Sequence, residues 1–414
     1  MNFFPYRNGT LCAENVPLAE VAKQYGTPAF VYSRAAIERG YREFSDACSG
    51  RDVLICYSVK ANSNLAVLNI LARLGSGFDI VSGGELARVL AAGGSASKTV
   101  FSGVGKTEAE LRAALAADVL CFNVESEGEL DRLAAIAAGM GKTARVSLRV
   151  NPDVDPRTHP YIATGLRESK FGIAYDAAVP LYRRAAKLPN IHVLGIDVHI
   201  GSQITDVEPF VAALEKLLEF VDLLDATGVH LEHLDLGGGL GIRYHDEEPP
   251  ALKDYLGRLF QRLGDRKIRI LFEPGRSLVG NTGVLLTRIE YLKHSEAKNF
   301  VIVDAGMNDL IRPSLYDAWH EVLPVAPRDG PARRYDIVGP VCESADFLAK
   351  ERTLSVAVGD LLAIMSAGAY GMAMSSNYNS RPRPPEVMVD GAKPWLVRER
   401  ERTESLFASE RLLP

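Results

Sequence analysis

The chain has 414 residues, 47% of them hydrophobic and 24% charged, with a formal net charge of -5. That is globular composition in a length that calls for two domains, a barrel of about 250 residues being allowed as one of them. The mild acidity gives no pull toward nucleic acid or an anionic membrane surface, and no uninterrupted apolar run approaches the ~18 residues needed to cross a bilayer.

Residues 1–28 read as short strand-like pieces. The opening "MNFFPYRNGT" has no basic segment followed by an apolar core, so no secretory signal is expected. Eight short apolar runs then follow in order: "VLICYSV" from Val53, "FDIVS" from Phe78, "TVFSGV" from Thr99, "VLCFNV" from Val119, "RVSLRV" from Arg145, "VLGIDVHI" from Val193, "HLDLGGG" from His233 and "IRILFEPG" from Ile268. Helix-patterned stretches separate them, such as "SGGELARVLAAGG", which opens on Ser82 and closes at Gly93-Gly94. Strand–helix alternation repeated eight times predicts an α/β fold with a (β/α)8 TIM-like barrel over residues 29–278, although a doubly wound open sheet gives the same local pattern.

From about residue 280 the pattern changes to apolar runs separated by turn residues: "VLLTRIEYL", "NFVIVDAG", "YDIVGPV", "LSVAVGDLLAI" and "PEVMVDG". These predict a mainly antiparallel β-sandwich domain built from residues 279–414 with 1–28. The stretch "VRERERTESLF" reads as a solvated charged helix or strand edge. The five cysteines (Cys12, Cys48, Cys56, Cys121 and Cys342) are scattered and lack CxxC spacing. A reducing, cytoplasmic setting is expected, with neither a disulfide framework nor a metal site.

The ends of the barrel runs carry the chemistry. Lys60 follows the first, His199-Ile200-Gly201-Ser202 the sixth, Gly237 to Gly241 the seventh, and Glu273-Pro274-Gly275-Arg276 the eighth. In a barrel these ends form the active face, and the loops after strands seven and eight are its phosphate-binding corner. Glycines let backbone N–H groups approach a phosphate closely. A lysine, a phosphate cradle and a facing carboxylate together suggest pyridoxal 5'-phosphate. Taken singly, Lys60 is a surface lysine past a strand end, His199 a satisfied core histidine, the glycines a tight turn, and Glu273 an ion-pair partner of Arg276.

The strings "YSVKANSN", "FDIVSGGEL", "HIGSQ", "DLGGGLG", "EPGRSLVG", "VGPVCESADF" and "SAGAYGMAMSSNYNSRPRPPEV", spread from about residue 15 to 390, resemble the diaminopimelate decarboxylases, a family of alanine-racemase-like (fold III) pyridoxal-phosphate enzymes. The resemblance implies decarboxylation of meso-diaminopimelate to L-lysine and CO2, the last step of lysine biosynthesis by the diaminopimelate route, in a homodimer with shared active sites. It makes Lys60 the Schiff-base lysine and lays the His199 ring against one face of the cofactor. It also makes Ser202, Gly238, Gly239, Gly275 and Arg276 cofactor contacts, and Glu273 the partner of the pyridine nitrogen. Arg276, Arg312 and Tyr316 would bind the distal carboxylate, Glu343 the distal ammonium, and Tyr370 both cofactor phosphate and substrate. Cys342, otherwise an inert buried thiol, would reach across the dimer as a proton donor. One departure is visible: the family string has glycine after Cys-Glu-Ser, and Ala345 here would strain the loop if that position needs a positive φ.

The rivals within this chemistry are a basic amino-acid decarboxylase (ornithine, lysine or arginine) and a carboxynorspermidine decarboxylase. The Arg276/Arg312 pair argues against a substrate with no distal carboxylate, since a desolvated guanidinium would lack its anion. A racemase on the same barrel and a non-catalytic relative are the remaining readings. The second should have lost Lys60 or the glycine loop, and both are present.

Overall fold

The computed structural model describes residues 3–155, 164 and 169–414, and its contacts divide the chain into two compact units. One comprises residues 40–242 and 248–277, the other residues 1–39, 243–247 and 278–414.

The first unit is a closed parallel barrel of eight strands: β1 (Val53–Ser58), β2 (Gly77–Ile80), β3 (Thr99–Phe101), β4 (Cys121–Val124), β5 (Ala144–Asn151), β6 (Ile191–Asp197), β7 (His233–Asp235) and β8 (Arg269–Phe272). Each strand pairs in parallel with the next, and β8 closes on β1 with Ile270 opposite Val53. Every one of the eight apolar runs contributes a strand, and the closure of β8 on β1 removes the open-sheet alternative. Several of the helices between them start at a side-chain cap. Ser82 accepts from Glu85 N at the head of Gly83–Ala91, and Ser126 accepts from Glu129 N at the head of Glu127–Gly139.

Side chains alternate in and out along each strand, so the barrel interior is read two residues at a time. Leu54, Cys56, Val100, Cys121, Leu194 and Leu271 form one buried apolar cluster. Two residues further along the same strands the inward series turns polar: Ser58 after Cys56, Asn123 after Cys121, Glu273 after Leu271, all buried. The interior is therefore apolar toward the strand starts and charged toward their C-terminal ends.

The second unit is mostly sheet. Its long strand Gly283–Lys293 pairs antiparallel with Phe300–Val303, Ala29–Ser33 and Leu361–Ile364. Two pairings are parallel, Phe300–Val303 with Arg333–Val338 and Ala29–Ser33 with Glu386–Asp390. The N-terminal pieces form their own small three-stranded sheet, but Leu18–Tyr25 is a helix, not a strand. Val21 and Ala22 lie one helical turn beyond Leu18 on the same face, and all three enter the core with Val31, Val284, Leu286 and Val387.

Candidate active site

The expected barrel residues meet at the ends of β6, β7, β8 and β1, four strands that are neighbours in the closed sheet although they span the whole unit in sequence. Lys60 lies in the single turn Val59–Ala61 that follows β1. Its Nζ stands 2.7 Å from Asp79 Oδ2 on β2, and the same oxygen accepts from Ser58 Oγ at 2.6 Å. The Asp79 side chain is 0% exposed and that of Lys60 35%, so the buried charge has its counter-ion and the amine still reaches the rim. Asp79 escaped the sequence reading, though an aspartate inside the apolar run "FDIVS" is as anomalous as a lysine at the end of "LICYSV".

Glu273 sits beside two more buried acids, with carboxylate oxygens of Asp197, Asp235 and Glu273 all within 4.8 Å of one another. Asn123 Nδ2 donates to Glu273 Oε1 at 3.4 Å. Burial first, then the charges of Asp235, Asp79 and Asp197, push the Glu273 carboxyl well above the usual range, with Lys60 opposing. Asp197 is raised well above its ordinary value by burial and by Asp235, while burial lifts Asp235 to about 6. Arg149 supplies the compensating charge, with Nη1 at 2.9 Å from Glu125 and Nε at 3.9 Å from Asp197. A cation arriving against Glu273 would find a carboxyl that gains by ionising. A pyridinium N–H is such a cation, so this end of the barrel fits pyridoxal phosphate.

The other end of the group also fits. A Cβ on Gly238 would lie 2.2 Å from Glu273 O, and one on Gly239, whose φ is +111°, would lie 2.5 Å from Gly201 O. The loops after β6, β7 and β8 thus touch backbone to backbone. Gln203 locks them further, its Nε2 donating to Ile242 O at 2.6 Å and its Oε1 accepting from Ile242 N at 3.2 Å. A Cβ on Gly275 would lie 3.0 Å from the Cβ atoms of Ser58 and Ala61, and Arg276 Nη2 donates to Ser202 Oγ at 3.0 Å. Gly238→Ala is expected to drive the loops apart and weaken cofactor retention at least ten-fold, measured by titrating pyridoxal phosphate into the cofactor-free protein.

His199 Nδ1 accepts from Gly238 N at 3.1 Å. A backbone N–H can only donate, so the neutral ring carries its proton on Nε2. Burial, with Arg149 and Lys60 nearby, holds its pKa well below the ordinary value and keeps the ring neutral.

The remaining expected residues belong to the sheet unit. Arg312 and Tyr316 open and close the short helix Arg312–Tyr316. Ser314 Oγ donates to Ala345 O at 2.6 Å, tying that helix to the loop bearing Cys342 and Glu343. Asp346 organises the loop by accepting from Met307 N at 2.6 Å and Val341 N at 2.7 Å, and Cys342 N donates to Asn379 Oδ1 at 2.7 Å. Cys342 is exposed, whereas the other four cysteines are buried, so it is no inert core thiol. Ala345 is absent from the residues with positive φ, so the strain expected of a methyl there does not arise. Tyr370 does take a left-handed φ of 55°, an unfavourable conformation for a bulky residue.

A family profile described as "Pyridoxal-dependent decarboxylase, pyridoxal binding domain" matches residues 34–280. The diaminopimelate decarboxylase of Pseudomonas aeruginosa is 60% identical over 414 residues, covering 100% of both chains. That of Vibrio cholerae is 59% identical over 416 residues, again with 100% of each covered. Among solved structures, the diaminopimelate decarboxylase of Helicobacter pylori complexed with L-lysine superimposes with a TM-score of 0.92 at 42% identity, covering 95% of this chain and 99% of that one. A lysine/ornithine decarboxylase from Vibrio vulnificus, at 23% identity and a TM-score of 0.80 over 90% of this chain and 98% of that one, shares the fold.

Proposed function

We infer that the chain belongs to the pyridoxal-dependent decarboxylases, in their diaminopimelate decarboxylase branch, and it is on that premise a pyridoxal-phosphate enzyme that converts meso-diaminopimelate to L-lysine and CO2, the final step of lysine biosynthesis. The observation that carries this reading is identity of 60% to a curated diaminopimelate decarboxylase across the full length of both chains. Bound pyridoxal phosphate supplies the electron sink for the bonding pair left on carbon when CO2 departs.

The roles of individual residues are our proposal. Lys60 holds the cofactor's aldehyde carbon through Nζ, and Asp79 keeps that amine on station as the nearest base for its proton. Glu273 would accept from the ring nitrogen's N–H, a cation that would offset the neighbouring acids that raise the free carboxyl. His199, neutral and fixed by Gly238, would lie against one face of the ring. Gly238, Gly239, Gly275 and Ser202 cradle the phosphate beside the Arg276 backbone. Tyr370 reaches both phosphate and substrate.

Arg276, Arg312 and Tyr316 take the carboxylate of the head that does not react, Arg through its bidentate fork, and Glu343 takes that head's ammonium. Cys342 protonates the decarboxylated carbon in a partner copy's site. Its exposure supports this, because a thiol serving another chain must be reachable. The homodimer with shared sites is tested by mixing a Lys60→Ala chain with a Cys342→Ala chain. Partial recovery of activity in hybrid dimers is expected, and no recovery in proven hybrids would refute sharing. We place the enzyme in the cytoplasm. No helix among the described residues is long and apolar enough to cross a membrane.

The substrate is tested by offering meso-diaminopimelate, ornithine, arginine, lysine and carboxynorspermidine to the purified holoenzyme side by side. Stoichiometric L-lysine and CO2 from the first alone is the expected result. Preferential turnover of any other would overturn the assignment.

A further inference from the structure

We propose, on the reading of Cys342 as the proton donor, that Asn379 is the positioning residue that sets where the Cys342 thiol is presented. The two belong to the same unit, and Asn379 Oδ1 accepts from Cys342 N at 2.7 Å. On either side of Cys342 the loop closes on itself. Val341 N donates to Asp346 Oδ2 at 2.7 Å and Glu343 N to Val341 O at 2.8 Å. Ser344 N donates to Glu343 Oε1 at 3.0 Å and Asp346 N to Glu343 O at 3.1 Å. The N–H of Cys342 leaves this set and goes to a residue 37 positions away. That bond fixes the peptide from which the thiol projects, whereas Glu343 is held by bonds that do not involve Asn379. Cys342 is exposed, so its placement rests on the backbone more than on burial.

The residue type suits this role. Asn379 takes a left-handed φ of 55°, a region asparagine enters at little cost. Its side chain then offers a neutral carbonyl oxygen to an N–H beside a thiol. A carboxylate there would set a negative charge near a group that becomes a thiolate on giving up its proton, and would oppose that step.

The turn that carries Asn379 is braced from behind. Asn377 Nδ2 donates to Arg381 O at 3.0 Å, closing the turn, and to Glu401 Oε2 at 2.7 Å. Arg383 N donates to the same Glu401 oxygen at 2.9 Å, and Arg383 Nη1 to Glu401 Oε1 at 3.1 Å. Ser376 N, just before the turn, donates to Asn308 O at 2.8 Å. The charged stretch "VRERERTESLF" thus gives one of its acids, Glu401, to the support of the Asn379 turn.

Two substitutions isolate the bond. Asn379→Gly keeps the left-handed backbone without strain and removes the acceptor, while Asn379→Asp has the same shape and keeps it. In the cofactor-free chain labelled with 15N-cysteine, the Cys342 amide is assigned by its loss in Cys342→Ala. It should exchange with solvent at least ~10-fold faster in Asn379→Gly than in wild type, and at the wild-type rate in Asn379→Asp. In the holoenzyme, Asn379→Gly should lower kcat for meso-diaminopimelate about ten-fold, the cost of a misplaced proton donor, and move KM less than about two-fold. Introduced into Cys342→Ala, it should cost nothing further, because it acts only through the thiol.

A merely structural role would lower activity alike in both backgrounds. An equal loss in both, or a wild-type kcat in Asn379→Gly, would overturn the proposal. If Cys342→Ala alone keeps the wild-type kcat, the reading of Cys342 fails. Unchanged amide exchange in Asn379→Gly would overturn the role of Asn379 whichever way that reading falls.

Discussion

Replacing Lys60 by alanine should lower kcat/KM by ~10^4 or more and abolish the visible absorption of the bound cofactor. The loss is large because one amine does two things: it holds the cofactor's aldehyde carbon, and it supplies the cation opposite buried Asp79. Lys60→Arg should not rescue activity. It restores the cation, but a guanidinium never becomes the neutral amine the carbon needs. The alanine variant also leaves Asp79 with Ser58 for a partner, a deficit worth roughly 1–3 kcal/mol of stability. Lys60→Ala combined with Asp79→Asn should regain most of that stability and none of the activity, as thermal melting beside a turnover assay would show.

Glu273→Gln should separate stability from function in the opposite direction. Turnover is expected to fall by ~10^3, since an amide cannot hold the ring nitrogen's proton as a carboxylate does. The cofactor-free variant should nevertheless melt at a higher temperature than the cofactor-free wild type at neutral pH. The sign follows from the direction of the shift. The native carboxyl is raised well above its ordinary value of 4.5, so whatever stability it contributes is complete only below 4.5 and is lost as pH rises through the native value. Above 4.5 the unfolded chain ionises this group freely, whereas burial and the neighbouring acids oppose ionisation in the native chain, a cost that glutamine lacks. The melting advantage of the variant should therefore shrink as pH is lowered toward about 4.5. An advantage that does not change with pH would mean that burial and the neighbouring acids do not raise Glu273.

The barrel was legible because its eight strands are buried on both faces and so read as apolar runs bounded by turn residues. Lys60 and Glu273 stood out as charges at the ends of such runs. Asp79, Asn123 and Arg149 lie inside the runs, where one polar residue among apolar neighbours reads as a break in the strand. Only closure of the barrel reveals that all of them face the same interior. The helix Leu18–Tyr25 was missed although Leu18, Val21 and Ala22 carry its period, because it is a bare two turns beside three short strands. Parallel pairing of Phe300–Val303 with Arg333–Val338 was equally hidden, since the runs alone do not state direction. The bond from Arg312 to His320 joins residues eight apart across the left-handed turn at Asp317, a geometry that neither helical nor strand periodicity anticipates. Ala345 shows the converse case, in which a family departure suggested strain and the backbone at that position removes it.

Borohydride reduction of the purified holoenzyme, followed by peptide mass mapping, tests the central claim most directly. The phosphopyridoxyl group is expected on the peptide that contains Lys60. Its recovery on any other lysine would contradict the assignment of the barrel rim at β1 as the place where the chemistry happens.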